Sequence, residues 1–115
     1  MAFDDNEQKQ VEKIAGGFIE KHRPPPNIRP QLDLGFQILD QSVEIQEIRP
    51  RWNNKEEIVE HPVARATFIR TRQQWKVFWK QADLKWHAYS PSPVVNTLEE
   101  FLELVGKDDH HCFFG

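Results

Sequence analysis

Near the N-terminus the apolar residues Val11, Ile14, Ala15, Phe18 and Ile19 stand at i, i+3, i+4, i+7 and i+8, the spacing that lines one face of a helix. This predicts a helix over residues 6–21. Asp4 and Asp5 complement its positive N-terminal end and His22 and Arg23 its last turn, before Pro24, Pro25 and Pro26 stop it. Gly16 and Gly17 each cost a helix roughly 1 kcal/mol relative to alanine. Either another backbone approaches closely there, or the helix breaks. The proline-rich run 23–30 is read as an extended, stiff connector.

The period then changes to two. Leu32, Leu34, Phe36 and Ile38 alternate with Asp33, Gly35 and Gln37, and Val43 and Ile45 continue the pattern after a turn near Asp40 and Gln41. A two-residue turn pairs Ile38 with Val43 and Phe36 with Ile45, which sets Glu47 opposite Leu34 and facing the core. A β-bulge near Gln46 would instead turn Glu47 outward and bring Ile48 in. The cost of an unpaired buried carboxylate favours the bulge, although Arg49 is also available to Glu47 as a partner. The polar, acidic stretch 52–60 reads as a loop.

Residues 63–71 and 74–80 make the strongest hairpin, with Arg72 and Gln73 as its turn. That register sets Ala66 opposite Trp79, Phe68 opposite Val77 and Arg65 opposite Lys80. A four-residue connection over 80–83 then brings Leu84, Trp86 and Ala88 beside Trp79, Val77 and Trp75, so Trp75, Trp79 and Trp86 share one buried face. Thr97 and Glu100 form a capping-box pattern, and Leu98, Phe101, Leu102 and Val105 supply an apolar stripe. A second helix over 98–105 follows. Phe113 and Phe114 are expected to dock on the core or on a partner. The expected fold is α+β: an N-terminal helix, an antiparallel meander of four to five strands, and a C-terminal helix packed on one face of the sheet, all within one domain spanning residues 1–115.

Four tryptophans and eight phenylalanines are enough for one sizeable core in 115 residues. A net charge of −3 argues against coating nucleic acid by bulk positive charge. Cys112 is the only cysteine, so no intrachain disulfide can form, and no stretch reads as a signal peptide or membrane span. A cytoplasmic protein without a membrane partner is expected.

The strings RPPPNIRPQLDLGFQI, SVEIQEIRPRW, HPVARATFIRTRQQWKVFWKQADLKWHAY and the terminal CFFG resemble the bacterial domain-of-unknown-function family DUF3024 over nearly the whole chain. The resemblance implies no activity and transfers no catalytic residue. Before the terminal CFFG the family pattern has an acidic residue, Tyr and Gly, whereas this chain has Asp109, His110 and His111. A metal role for these histidines is therefore not implied.

Charge is unevenly distributed. Residues 61–89 carry six cations against Asp83 alone, a net +5, which leaves −8 for the rest of the chain. In the expected register the face opposite the tryptophans shows Arg65, Lys76, Phe78, Lys80, Lys85 and His87 as candidate binding residues, together with Thr67, Ile69 and Tyr89. Such a basic, aromatic face suits an acidic protein partner or a homodimer; the alternatives are a nucleic-acid module that stacks bases and holds phosphates, and a plain solvated face whose Lys and Arg stems cover apolar surface. The like charges of Arg65 and Lys80, placed opposite each other, point to a bound anionic group there. His110, His111 and Cys112 are too closely spaced to hold a metal on their own, and no cofactor motif is present. Asp33, Glu44 and Glu47 resemble a metal-dependent nuclease set only weakly, and Asp83 and His87 need not meet. The reading is a non-catalytic interaction domain, with a small hydrolase or nuclease as third choice.

Overall fold

A computed structural model describes residues 3–108 and Phe113. Its elements in chain order are α1 (Asp5–His22), β1 (Asp33–Leu39), β2 (Ser42–Arg51), β3 (Asn54–Ile69), β4 (Gln74–Lys80), β5 (Trp86–Ala88), β6 (Val94–Val95) and α2 (Leu98–Lys107). The α+β architecture is as expected. Strands β1 to β5 form an antiparallel meander in sequence order, and the two-residue β6 adds to β4 beyond the end of β5.

Helix α1 begins in a full capping box: Asp4 accepts from the Glu7 amide at 2.8 Å, and Glu7 accepts from the Asp4 amide at 3.0 Å. The Glu7 carboxylate also accepts from Arg70 in the β3–β4 loop, at 2.9 and 3.0 Å, so this one acid ties the helix start to the sheet. The helix runs unbroken through Gly16 and Gly17, and a Cβ at either position would meet nothing within 4 Å among the described residues. Neither reading of the glycines therefore holds within this chain. Gly17→Ala is expected to raise the unfolding free energy by about 0.5–1 kcal/mol, because alanine loses less backbone freedom on folding and has room here. Urea denaturation measures this directly, and a destabilised variant would mean that something approaches the helix at that point.

Beyond Arg23 the prolines direct a series of turns where an extended run was expected. The amides of Ile28 and Arg29 both donate to the Pro25 carbonyl, and those of Gln31 and Leu32 to Ile28. A proline φ near −65° suits tight turns as well as extended chain, and the amides of the intervening residues decide between them. The turns bring Arg23 to Asp33, where Nε and Nη2 donate to the two carboxylate oxygens at 3.1 and 2.6 Å. This hydrogen bonding by Arg23 holds the Asp33 carboxyl below its ordinary value, against a smaller opposing effect of burial. A depressed folded-state pKa contributes stability that is fully present above the unfolded value, about pH 4, and is lost as pH falls through the folded one. Asp33→Asn is expected to be less stable than wild type at neutral pH, with the gap closing on acidification. A gap independent of pH in acid unfolding curves would contradict this.

The β1–β2 ladder runs without interruption from Asp33↔Ile48 to Leu39↔Ser42, through a two-residue turn at Asp40 and Gln41. Glu47 therefore lies opposite Leu34 on the helix side, and the bulge expected to turn it outward is not on this ladder. The irregularity falls on the next one. Between Ile45 and Gln46 the β2–β3 register shifts, leaving Val63 as the additional residue between Pro62 and Ala64. Pro62 explains the position, since proline has no amide to give a regular ladder. Glu47 is stabilised by Arg49, whose Nη2 donates to it at 2.8 Å.

Residues 52–60 are not a loop. They turn at Trp52 and Asn53 and return along β3, so that β2 and β3 form one long hairpin, with Arg51 and Glu57 paired at 3.0 Å. Both faces of this finger are largely exposed, so no run of buried apolar positions marks it as a half-buried strand. Trp52 at its tip is 91% exposed.

One core fills the space between the helices and the sheet. Val11, Ala15, Phe18 and Ile19 of α1 and Leu98, Phe101, Leu102 and Val105 of α2 cover Val43, Ile45, Ala64, Ala66, Phe68, Trp75 and Val77. Opposite Ala64 and Ala66 stand Trp79 and Val77, so small side chains on β3 make room for larger ones on β4. Phe113 packs on this core, its ring 4.8 Å from that of Tyr89. Phe114, His110, His111 and Cys112 lie outside the described residues.

Candidate functional site

Strands β3 and β4 pair with Arg65 opposite Phe78, Ala66 opposite Val77 and Phe68 opposite Trp75, across a four-residue loop. The expected register is displaced by two residues, which keeps every side chain on its expected face but separates Arg65 from Lys80. Arg65 and Lys80 are therefore not opposed, and their charges call for no bound anion between them. Arg65 instead lies beside Glu44 of β2, with Nε 3.2 Å from Oε2. Glu44 is itself only 5% exposed and accepts from Gln37 Nε2 at 3.1 Å. Although Arg65 Nε is buried, no acceptor among the described residues aligns with it for a hydrogen bond, so the pair offsets charge without directing it.

The β4–β5 register departs by an odd number of residues. Phe78 pairs with Ala88, Trp79 with His87 and Lys80 with Trp86. An odd displacement moves a strand's side chains to the opposite face. Trp86 is thus on the open face, whereas His87 and Tyr89 are on the helix side, where Tyr89 is only 1% exposed. The cause is the connection over residues 81–85. Asp83 Oδ1 accepts from the Lys85 amide at 3.0 Å, the Gln81 amide donates to the Lys85 carbonyl at 3.2 Å, and Leu84 takes a left-handed φ of 64°. Asp83 and His87 do meet, with His87 Nε2 2.9 Å from Oδ2. The Lys85 amide first, and His87 second, hold the Asp83 carboxyl below its ordinary value. This exposed pair braces a turn and faces no cleft.

The open face that results carries four of the six expected residues. Across the ladders lie Glu44, Arg65, Phe78 and Ala88 in one row and Ser42, Thr67, Lys76 and Val94 in the next, with Lys80 and Trp86 beyond. The Arg65 guanidinium carbon is 5.6 Å and Lys80 Nζ 5.5 Å from the Trp86 ring centroid, within range of cation–π attraction. Lys85 sits in the connection, and His87 is on the other face. Sequence reasoning missed Trp86, Glu44 and Leu84. The available signal was Asp83 two residues before Lys85, a spacing at which an aspartate caps its own turn.

The nuclease-like acids do not converge. Asp33 is held by Arg23, Glu44 by Arg65 and Glu47 by Arg49, and Glu44 and Glu47 project to opposite faces. Among the described residues no three metal-ligating side chains form a group, and no helix is long and apolar enough to cross a membrane.

Taken together, these features define an α+β domain whose helices cover one face of an antiparallel sheet and leave a basic, aromatic face open. The chain belongs to the family described as Domain of unknown function (DUF3024), which it matches over residues 3–115. No curated protein and no solved structure matches it.

Proposed function

We propose that this is a non-catalytic interaction domain of the cytoplasm that binds an acidic protein segment on the open sheet face around Trp86, Lys80, Phe78 and Lys76. The observation that carries this reading is Leu84. Its left-handed backbone costs a non-glycine residue about 1–2 kcal/mol, yet its apolar side chain is left 77% exposed. It stands between Lys80 and Trp86 in the chain, and an exposed apolar side chain there suits contact with a protein partner. The single cysteine fits a reducing compartment.

Charge counting favours protein over nucleic acid. Arg65 is offset by Glu44 and Arg70 by Glu7, which leaves Lys76 and Lys80 as the cations of the face without an ion pair among the described residues. Two phosphate contacts to a single strand would give a log–log salt slope of only about −1.4, against roughly −4 to −7 for six to ten contacts. A second copy of this chain remains within the proposed partner class, since the remainder of the sequence carries −8.

The test is fluorescence anisotropy with a labelled peptide that mixes glutamates and leucines, beside a labelled oligothymidine, at about 50 and 200 mM salt. Lys80→Glu and Trp86→Ala are expected to weaken peptide binding at least about tenfold. Leu84→Gly is expected to weaken it while raising thermal stability, since glycine removes the backbone strain. Tighter binding of the oligonucleotide, with a steep salt slope, would replace this reading with the nucleic-acid one. Unchanged peptide binding in Lys80→Glu would remove the face from consideration.

A further inference from the structure

On the helix side of the sheet, away from the open face, four segments meet around a cleft of about 370 Å³, within the range of small-molecule sites, about 300–1,000 Å³. Its apolar side chains are Phe18 of α1, Pro24, Leu32 just before β1 and Leu34 within it, and its polar groups are Glu47, Arg49 and His22. The walls are organised for this shape. The His22 ring lies 4.4 Å from that of Phe18, tilted by 31°, and a Cβ on Gly106 of α2 would come within 3.2 Å of the His22 ring. Glycine at that position lets α2 end against the imidazole without displacing it.

Glu47 is the anomaly of the cleft. Along the β1–β2 ladder the helix-side pairs are Ile38 with Val43, Phe36 with Ile45, and then Leu34 with Glu47. An apolar residue at 47 would serve the fold as well or better, because a desolvated ion pair seldom stabilises more than the hydrophobic residues that replace it. The Glu47 side chain is nonetheless 15% exposed and held by Arg49, which is half exposed at the mouth. The last turns of α1 and α2 both border the same space, through His22 and Gly106. Helix C-terminal ends carry partial negative charge. Together with Glu47 they favour an ammonium group inside, while Arg49 offers two parallel donors to a carboxylate at the rim.

We propose that this cleft binds a free apolar α-amino acid. The ligand's ammonium replaces Arg49 as the partner of Glu47, its carboxylate takes Arg49, and its side chain lies against Phe18, Leu32 and Leu34. The Glu47–Arg49 separation of 2.8 Å then opens into a bridge across the two charges of one zwitterion. This site is independent of the open face, because Glu47 and Lys80 project from opposite sides of the sheet.

Isothermal titration calorimetry and amide NMR shifts of the full chain with L-leucine and L-phenylalanine test the proposal. The controls are isoamylamine, which lacks the carboxylate, and 4-methylpentanoate, which lacks the ammonium. At least one amino acid is expected to bind saturably and to move the amides of Phe18, Leu34, Glu47 and Gly106. Glu47→Gln, of nearly the same shape, is expected to lower affinity at least about tenfold, as is Arg49→Gln, because each removes a charge-assisted hydrogen bond. Glu47→Leu is expected to keep or raise thermal stability while abolishing binding, and Lys80→Glu to leave the affinity unchanged. No saturable shift with either amino acid would overturn the proposal. So would wild-type affinity in Glu47→Gln, or a carboxylate control that binds as tightly as leucine.

Discussion

Tyr89→Ala is expected to lower the unfolding free energy by about 3–5 kcal/mol, whereas Trp86→Ala, three residues away, is expected to cost only about 1–2 kcal/mol. For a domain of this size the first corresponds to a fall in Tm on the order of 15 °C. Tyr89 is almost fully buried on the helix side, its ring against Phe113 and its amide donating to the Val77 carbonyl at 2.9 Å. Removing the ring leaves a cavity that the close-packed neighbours cannot fill. Trp86 is only partly buried and its ring lies within cation–π range of Arg65 and Lys80, so its loss removes mainly cation–π contact and partial burial. The opposite order in urea unfolding, with Trp86 the costlier loss, would place Trp86 in the core and reject the β4–β5 register described above.

The second large effect concerns Glu44. Glu44→Ala is expected to destabilise the protein by about 2–3 kcal/mol, toward the low end of what breaking a buried ion pair costs, because Arg65 is 30% exposed and water reaches part of its guanidinium. The loss arises less from missing attraction than from what remains. Arg65 Nε stays buried with no counter-charge, and Gln37 loses its acceptor. Replacing both charges, as Glu44→Leu with Arg65→Met, is expected to recover most of the stability, since neither charge is then desolvated. A double-mutant cycle reads this as a coupling of about 2 kcal/mol. Additive single-mutant effects would mean that the two side chains do not depend on each other. Glu44→Gln has a corollary for the open face: with Arg65 no longer offset, affinity for an acidic peptide is expected to rise.

Much of the fold was legible because each element carries its own period. The stripe from Val11 to Ile19 and the alternation from Leu32 to Ile38 report which side chains share a face, and capping residues and prolines mark where the pattern stops. Next to its turn the β1–β2 register was also readable, pairing Ile38 with Val43 and Phe36 with Ile45, since a two-residue turn leaves few alternatives. Other places were opaque for specific reasons. The distal β2–β3 finger has water on both faces, so no hydrophobic pattern encodes it. The side on which Glu47 lies depended on which strand carries the bulge, and that was set by Pro62 on a neighbouring strand.

The candidate face shows the same division. Arg65, Lys76, Phe78 and Lys80 kept their expected side because the β3–β4 register was displaced by an even number of residues. Trp86, His87 and Tyr89 changed sides because the β4–β5 connection displaced theirs by an odd number. Local periodicity is written in side-chain chemistry one strand at a time, so the chain alone decided the helices, the half-buried core strands and the residues grouped on each. Which of two opposite faces a strand shows its neighbour depends on a turn's backbone, here the left-handed Leu84 held in a connection braced by Asp83. Only the folded chain decided that a tryptophan, and not a histidine, completes the open face.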